Sequence, residues 1–171
     1  MGELTPGVAL SPPVPLITEH DIGQFDCGVP TLDDWLTRRA RASESRNART
    51  YVLCSEQRVV AYYCLAAGMI ERSAAPGRLR RNAPDALPVA VIGRLAVDRL
   101  WSGQGLGAAL LADALRRSAM AARTIGIAAV MVQAKDEVAK AFYLRCAGFA
   151  EYPADSRTLF LPIEKVLTGF S

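Results

Sequence analysis

Val89-Ala-Val-Ile-Gly-Arg-Leu-Ala-Val-Asp98 runs directly into Arg99-Leu-Trp-Ser-Gly-Gln-Gly-Leu-Gly-Ala108. The first segment is mostly β-branched and aliphatic and has the length of a buried strand. Gly103, Gly105 and Gly107 then alternate, and Ala108-Ala-Leu-Leu-Ala-Asp-Ala-Leu-Arg-Arg117 follows, a strong helix former with apolar residues at helical spacing. Strand, glycine loop and helix in this order leave backbone N–H groups unpaired at the positive end of a helix dipole. Without side chains in the way, an anion can approach them. The stretch predicts a pyrophosphate site.

Three phosphate-binding designs separate on the residues. A P-loop needs Lys and Ser or Thr at the helix start, where this chain has Ala108 and Ala109. A dinucleotide fold needs G-x-G-x-x-G, and the alternate spacing here is wrong for it. The remaining design is coenzyme A. Ser102-Gly103-Gln104-Gly105-Leu106-Gly107, after the triplet Leu95-Ala96-Val97, resembles the acetyl-CoA loop of the GNAT N-acetyltransferases, Gln/Arg-x-x-Gly-x-Gly/Ala. Ser102 stands where that family has Gln or Arg, which removes one contact to the pyrophosphate and leaves the backbone donors.

The chain has 171 residues, 51% hydrophobic and 22% charged, as expected of one soluble globular domain. Four cysteines without C-x-x-C spacing and one histidine argue against a metal site and against a disulfide framework. No signal peptide is recognisable at the start, and the longest apolar stretch, Val59 to Ile70, is too short to span a bilayer. A cytoplasmic protein with no membrane contact is expected.

Residues 1–13, rich in Pro and Gly, read as a loose N-terminal arm before a domain over residues 14–165. Val14 to Thr18 reads as a first strand, and His20 as an ordinary turn residue. Thr31, with Asp33 and Asp34, looks like the N-cap of a helix that runs toward Ser45. Its second half carries Arg38, Arg39, Arg41 and Arg46, with Arg49 beyond. Thr50 to Cys54 and Val59 to Ala66 read as paired strands around a turn. Met69 to Pro88 reads as a loop or broken helix bearing Arg72, Arg78, Arg80 and Arg81. Arginine far outnumbers lysine, and arginine is the fork-shaped phosphate binder. If the two arginine-rich segments meet, they form a basic face for a polyanion; otherwise they are dispersed surface charge. Arg38, Arg39, Arg78, Arg80, Arg81 and Arg94 are the candidate contacts for such a polyanion. A helix from Leu106 to Ala122, a strand from Ala128 to Gln133, a helix from Lys135 ending at a Gly148 C-cap, and a last strand from Arg157 to Ile163 complete an α/β domain.

The C-terminal part extends the resemblance, since Ala139-x-x-Phe142-Tyr143 and Gly148-Phe149 are similar to the closing helix and Gly-Phe of GNAT proteins. The resemblance implies a mixed, curved central sheet with flanking helices. It implies that Leu95, Ala96 and Val97 lie along pantetheine, and that Gly103, Gln104, Gly105, Leu106, Gly107 and Ala108 hold the pyrophosphate of acetyl-CoA. Amine attack on a thioester needs a neutral amine and an acid for the leaving thiolate. Tyr143 can supply the acid. The central strand offers no base except Asp98 at its end. Without a base, a lysine amine, with a pKa of about 10.4, is a poor acceptor, whereas an α-amine at about 7.7–8.0 is a better one.

Phe25-x-Cys-Gly-x-x-x-Leu-Asp-x-Trp-Leu36, Ala48-Arg-Thr-Tyr-Val52, Ala61-Tyr-Tyr-Cys-Leu-Ala-Ala-Gly68 and Ile92-Gly-Arg-Leu-Ala-Val-Asp98 narrow the resemblance to the GNAT toxins of bacterial toxin–antitoxin pairs, the TacT/AtaT group. That group implies acetylation of the α-amine of the amino acid on charged tRNA, with inhibition of translation. It also implies a catalytic tyrosine matched by Tyr143, a basic tRNA-facing groove, a homodimer and a ribbon-helix-helix antitoxin. The alternative is a GNAT enzyme acting on a small-molecule amine or a protein N-terminus; a non-catalytic acyl-CoA-binding module ranks below both.

Overall fold

The structure, a computed structural model, describes residues 10–43, 47–75, 77–81, 83–152 and 155–169. Its strands are β1 (Val14–Pro15), β2 (Arg49–Ser55), β3 (Arg58–Glu71), β4 (Ala86–Val97), β5 (Ala129–Gln133), β6 (Ala150–Tyr152) and β7 (Asp155–Pro162). Its helices are α1 (Pro30–Arg38), α2 (Ala40–Ser43), α3 (Gly77–Arg80), α4 (Leu106–Ala122), α5 (Glu137–Cys146) and α6 (Ile163–Gly169). The strands form one mixed sheet in the order β1-β2-β3-β4-β5-β7-β6. β4 and β5 pair in parallel; β1/β2, β2/β3, β5/β7 and β6/β7 are antiparallel. This is the α/β class expected from the sequence.

Two units divide the chain: the described residues of Met1–Leu65 with Arg94–Asp113, and those of Ala66–Gly93 with Ala114–Ser171. In the first, Trp35, Leu36 and Ala40 bury against Val52, Val59, Tyr62, Cys64 and Ala96. Leu36 is fully buried, worth about 2 kcal/mol by area. Tyr62 is held on three sides: it stacks on Trp35 (5.9 Å, 7°), meets the edge of Phe25 (5.3 Å), and donates its hydroxyl to Leu32 O at 2.6 Å. In the second unit, Ala75, Leu79, Leu87, Val89, Ala129 and Phe160 form the core. In the first unit Asp98 N–H bonds to Val60 O (2.8 Å), and in the second Arg72 N–H bonds to Asp85 O (2.8 Å), so β3 and β4 lie side by side in each.

Several local expectations change. The N-cap of α1 is Val29, with Pro30 in the first turn and no side-chain cap, so Thr31 lies inside the helix. Asp33 instead accepts the Cys27 N–H at 2.9 Å and folds the preceding loop onto the helix start. The helix breaks at Arg39 instead of continuing toward Ser45. β3 runs through Met69 to Glu71, where a loop was expected, and its last residues alternate between half-buried and exposed. Gly68 permits this: a Cβ there would sit 2.9 Å from Val91 Cγ2, so only glycine lets β4 approach this closely. α5 ends on an extended Ala147 and not on a left-handed Gly148. β6 and α6 were not foreseen, and α6 carries the chain past residue 165. Residues 1–9 of the expected arm lie outside the described residues, while Leu10 bridges to Ser55. Among the described residues no helix is long and apolar enough to cross a membrane.

Candidate active site

The site is built from the end of β4. The parallel ladder with β5 runs from Val89↔Ala129 to Ile92↔Val132 and stops. Arg94 then takes φ +59, a left-handed conformation that a non-glycine residue resists by about 1–2 kcal/mol. Its guanidinium lies 4.5 Å from the centroid of the Trp35 ring. The strand resumes through Leu95, Ala96 and Val97.

Asp98 turns the chain into the loop. It is 1% exposed, and its carboxylate accepts the N–H of Leu100 (3.0 Å) and of Asp26 (3.1 Å) and faces Arg58 Nη2 at 3.5 Å. One residue on, Arg99 pairs with the Asp26 carboxylate, and its N–H bonds to Asp26 O at 2.9 Å. The N–H of Gly28 and then the Arg99 guanidinium hold the Asp26 carboxyl below the usual range. The Asp98 carboxylate, at the end of the central strand, is thus engaged in shaping the turn and does not serve as a base.

Ser102 donates its hydroxyl to Arg99 O at 2.9 Å, inside the turn. Gly103 and Gly105 adopt φ +77 and φ +80, which only glycine takes without penalty. The first α4 bond runs from Ala109 N–H to Gly105 O (3.1 Å), and Gly107 lies within the first turn. The N–H groups of Leu106, Gly107 and Ala108 therefore have no acceptor within the helix. Open space surrounds the position of a Gly103 Cβ, and Gln104 Oε1 is buried without a hydrogen-bond partner. A seventeen-residue helix presents its positive end to that space. Backbone donors and an open approach fit a diphosphate; the Gln104 carbonyl oxygen, an acceptor, calls for a donor and not for phosphate oxygen.

Tyr143 lies in the second unit, on α5, whose N-cap Asp136 accepts the Ala139 N–H at 2.8 Å. Its ring packs edge-on against Phe142 (5.3 Å) and Phe149 (5.9 Å) and is 7% exposed. Burial pushes the phenol up to about 12. Its hydroxyl has no hydrogen-bond partner among the described residues, yet it is not one of the fully enclosed polar atoms. The result is a packed ring with an unspent, protonated donor. His20 accepts the Ile17 N–H at 3.0 Å, and burial with Arg41 nearby lowers its pKa, consistent with a hydrogen-bonded turn residue.

The arginines divide by role. Arg41 donates to the carbonyls of Ile17 (3.3 Å), Thr18 (3.2 Å) and His20 (2.8 Å), so it fastens a loop. Arg38 and Arg39 are exposed in the first unit, as is Arg94 despite its contact with Trp35. Arg80 and Arg81 are exposed in the second unit; Arg78 belongs to α3, and its side chain is outside the described residues, as is Arg46. Arg80 lines a groove of about 580 Å³ with Glu71, Arg72, Ser73, Asp85 and Ala86. No group of three or more His, Cys, Asp or Glu among the described residues is arranged to hold a metal. Sequence reasoning missed Asp26, Trp35 and Arg99 as shapers of the site; an Asp two residues before Gly28 was the available turn signal.

Residues 15–149 match the model of the acetyltransferase (GNAT) family. The chain is 44% identical over 142 residues to the tRNA-acetylating toxin of Mycobacterium tuberculosis, across 82% of this chain and 85% of that one. It is 31% identical to AtaT, solved complexed with acetyl-methionyl-tRNAfMet, with a TM-score of 0.86 over 95% of this chain and 100% of that one. A tyrosine-to-phenylalanine mutant of AtaT, solved bound to the C-terminus of the antitoxin AtaR and acetyl-CoA, is 30% identical, with a TM-score of 0.81 over 95% and 98% of the two chains.

Proposed function

The chain belongs to the acetyltransferase (GNAT) family, and from that premise we propose that it is a toxin enzyme that acetylates the α-amine of the amino acid on charged tRNA and so inhibits translation. The glycine loop carries the reading. Two left-handed glycines open onto the N–H groups of the first turn of α4, which have no acceptor within the helix. Acetyl-CoA, when bound, supplies the acetyl group as a thioester. Leu106, Gly107 and Ala108 hold its diphosphate through their N–H groups, with Gly103, Gln104 and Gly105 shaping the approach. Leu95, Ala96 and Val97 offer backbone groups to pantetheine.

Tyr143 holds a proton on its hydroxyl for the departing sulfur. A phenol kept near 12 by burial remains protonated throughout the working pH range, which suits a donor and not a base. With Asp98 committed to two N–H groups and Arg58, the acceptor amine arrives already neutral. An α-amine at about 7.7–8.0 meets that condition, and the electron-withdrawing ester of aminoacyl-tRNA lowers it further. The tRNA choice is supported by the Mycobacterium tuberculosis relative and by AtaT. Arg38, Arg39, Arg78, Arg80, Arg81 and Arg94 are the candidate RNA contacts. Such a substrate places the enzyme's work in the cytoplasm. By the AtaT–AtaR likeness, an antitoxin neutralises it; a ribbon-helix-helix form of that partner and a homodimeric toxin complete the proposal.

The test is incubation of the purified protein with labelled acetyl-CoA and charged tRNAs, with uncharged tRNA and small amines as controls. Label appearing as N-acetyl amino acid after mild hydrolysis of the ester supports the reading. Equal labelling of small amines or of protein N-termini favours the alternative substrate classes. Light scattering on the free protein and on its antitoxin complex tests the assembly.

A further inference from the structure

We propose that Arg94 is a positioning residue for acetyl-CoA: its guanidinium, laid on Trp35, holds the left-handed kink in β4 that sets Leu95 to Val97 for pantetheine. The inference rests on the reading of those residues as the pantetheine strand. Among the described non-glycine residues, only Glu56 and Arg94 have positive φ. Glu56 sits in the tight turn between β2 and β3, where this conformation is ordinary. Arg94 sits inside a strand, where it is not.

Glycine would take this conformation freely, and the chain does place a glycine beside it. Gly93 immediately precedes Arg94, with open space where its Cβ would be. An L-residue kept at the strained position implies that its side chain has work to do. The work visible in the structure is the contact with Trp35 at 4.5 Å. Trp35 is a rigid platform, because its ring stacks on Tyr62, and Tyr62 is anchored to Leu32 O. A cation over an indole face is attracted by the ring quadrupole, so the stack favours the one backbone conformation that places the guanidinium there.

The kink falls where it matters. The ladder between β4 and β5 has stopped at Ile92↔Val132, and the strand that resumes after Arg94 leads directly into the turn at Asp98. An altered φ at residue 94 re-aims the N–H and C=O groups of Leu95, Ala96 and Val97. Arg94 then acts on acetyl-CoA through the backbone, a role separate from contact with RNA.

The experiment compares Arg94→Gly, Arg94→Val and Trp35→Leu in the full-length protein. Calorimetry gives the acetyl-CoA Kd, and steady-state kinetics the KM for charged tRNA. A β-branched residue resists the left-handed conformation more than arginine does and lays nothing on Trp35, so Arg94→Val raises the Kd about tenfold. Glycine adopts the kink without penalty but lays nothing on Trp35 to hold it there, so Arg94→Gly raises the Kd by less than Arg94→Val does. Trp35→Leu weakens binding, and adding Arg94→Gly to it restores part of the affinity. Should the valine variant not fold, Arg94→Ala against Arg94→Gly makes the same comparison. Glycine and alanine or valine variants with equal acetyl-CoA affinity, both raising the tRNA KM, would overturn the proposal and make Arg94 an RNA contact. Failure of the wild type to bind acetyl-CoA would instead sink the cofactor site itself.

Discussion

Tyr143→Phe removes one oxygen and leaves a ring of nearly the same shape between Phe142 and Phe149. The hydroxyl has no hydrogen-bond partner among the described residues, so its loss orphans no donor or acceptor. Folding stability should change by no more than about 0.5 kcal/mol in urea denaturation. Catalysis should fall much further, since a placed general acid is worth about 10²–10⁴ in rate. The assay is single-turnover transfer from labelled acetyl-CoA to charged tRNA, with acetyl-CoA Kd measured alongside. We expect kcat to drop within that range and the Kd to stay put. The pH profile adds a second check. The phenol, pushed up to about 12, keeps its proton throughout the assay, so wild-type kcat/KM should rise with pH to about 8, as the amine loses its proton, and then stay level. The same shift gives a stability sign. A folded value near 12 against about 10 for an unfolded tyrosine means the contribution is full below pH 10 and fades as pH rises through 12. The stability difference should therefore move in favour of Tyr143→Phe across that window. A variant that transfers acetyl within threefold of wild type would refute the role of the hydroxyl.

Asp98→Ala strands two backbone N–H groups and Arg58 at a site that is 1% exposed, and should destabilise the fold by about 3–5 kcal/mol in urea. Asp98→Asn, which keeps an acceptor, should recover part of that loss. Gly68→Ala drives a methyl against Val91 Cγ2 and should cost about 1–3 kcal/mol, relieved in the Gly68→Ala/Val91→Ala double variant; a lowered melting temperature that the second change leaves untouched would exclude the clash. Combining Arg78→Ala, Arg80→Ala and Arg81→Ala should raise the KM for charged tRNA and flatten its salt dependence while sparing acetyl-CoA affinity; equal loss of both would contradict the RNA assignment.

What was legible in the sequence is what local rules decide. Leu106 to Ala122 has the composition and spacing of a helix whatever surrounds it, and α4 has those bounds. The glycine loop precedes it as read, while the left-handed φ of Gly103 and Gly105 is known only from the structure. Arg94 was read by its charge, because nothing in its neighbours announces a ring supplied by α1. Arg41 was likewise counted with the basic face, although three carbonyls from a preceding loop claim it. The end of β3 was missed because Ala67-Gly68-Met69 is a poor strand by propensity; the strand exists because β4 needs a neighbour close enough to exclude a side chain. Tyr143 was legible only through its Phe-Tyr motif, since the burial that fixes its protonation is a property of the packed helix.

The ties between Asp26 and the turn at Asp98 and Arg99 span 72 and 73 residues of chain. Closing so large a loop costs chain entropy before the contacts that offset it can form. During synthesis, Asp26 emerges from the ribosome well before the partners that complete this clasp. The nascent protein therefore passes through most of its translation without a formed anion cradle, and competence arrives only when distant parts of the chain have met.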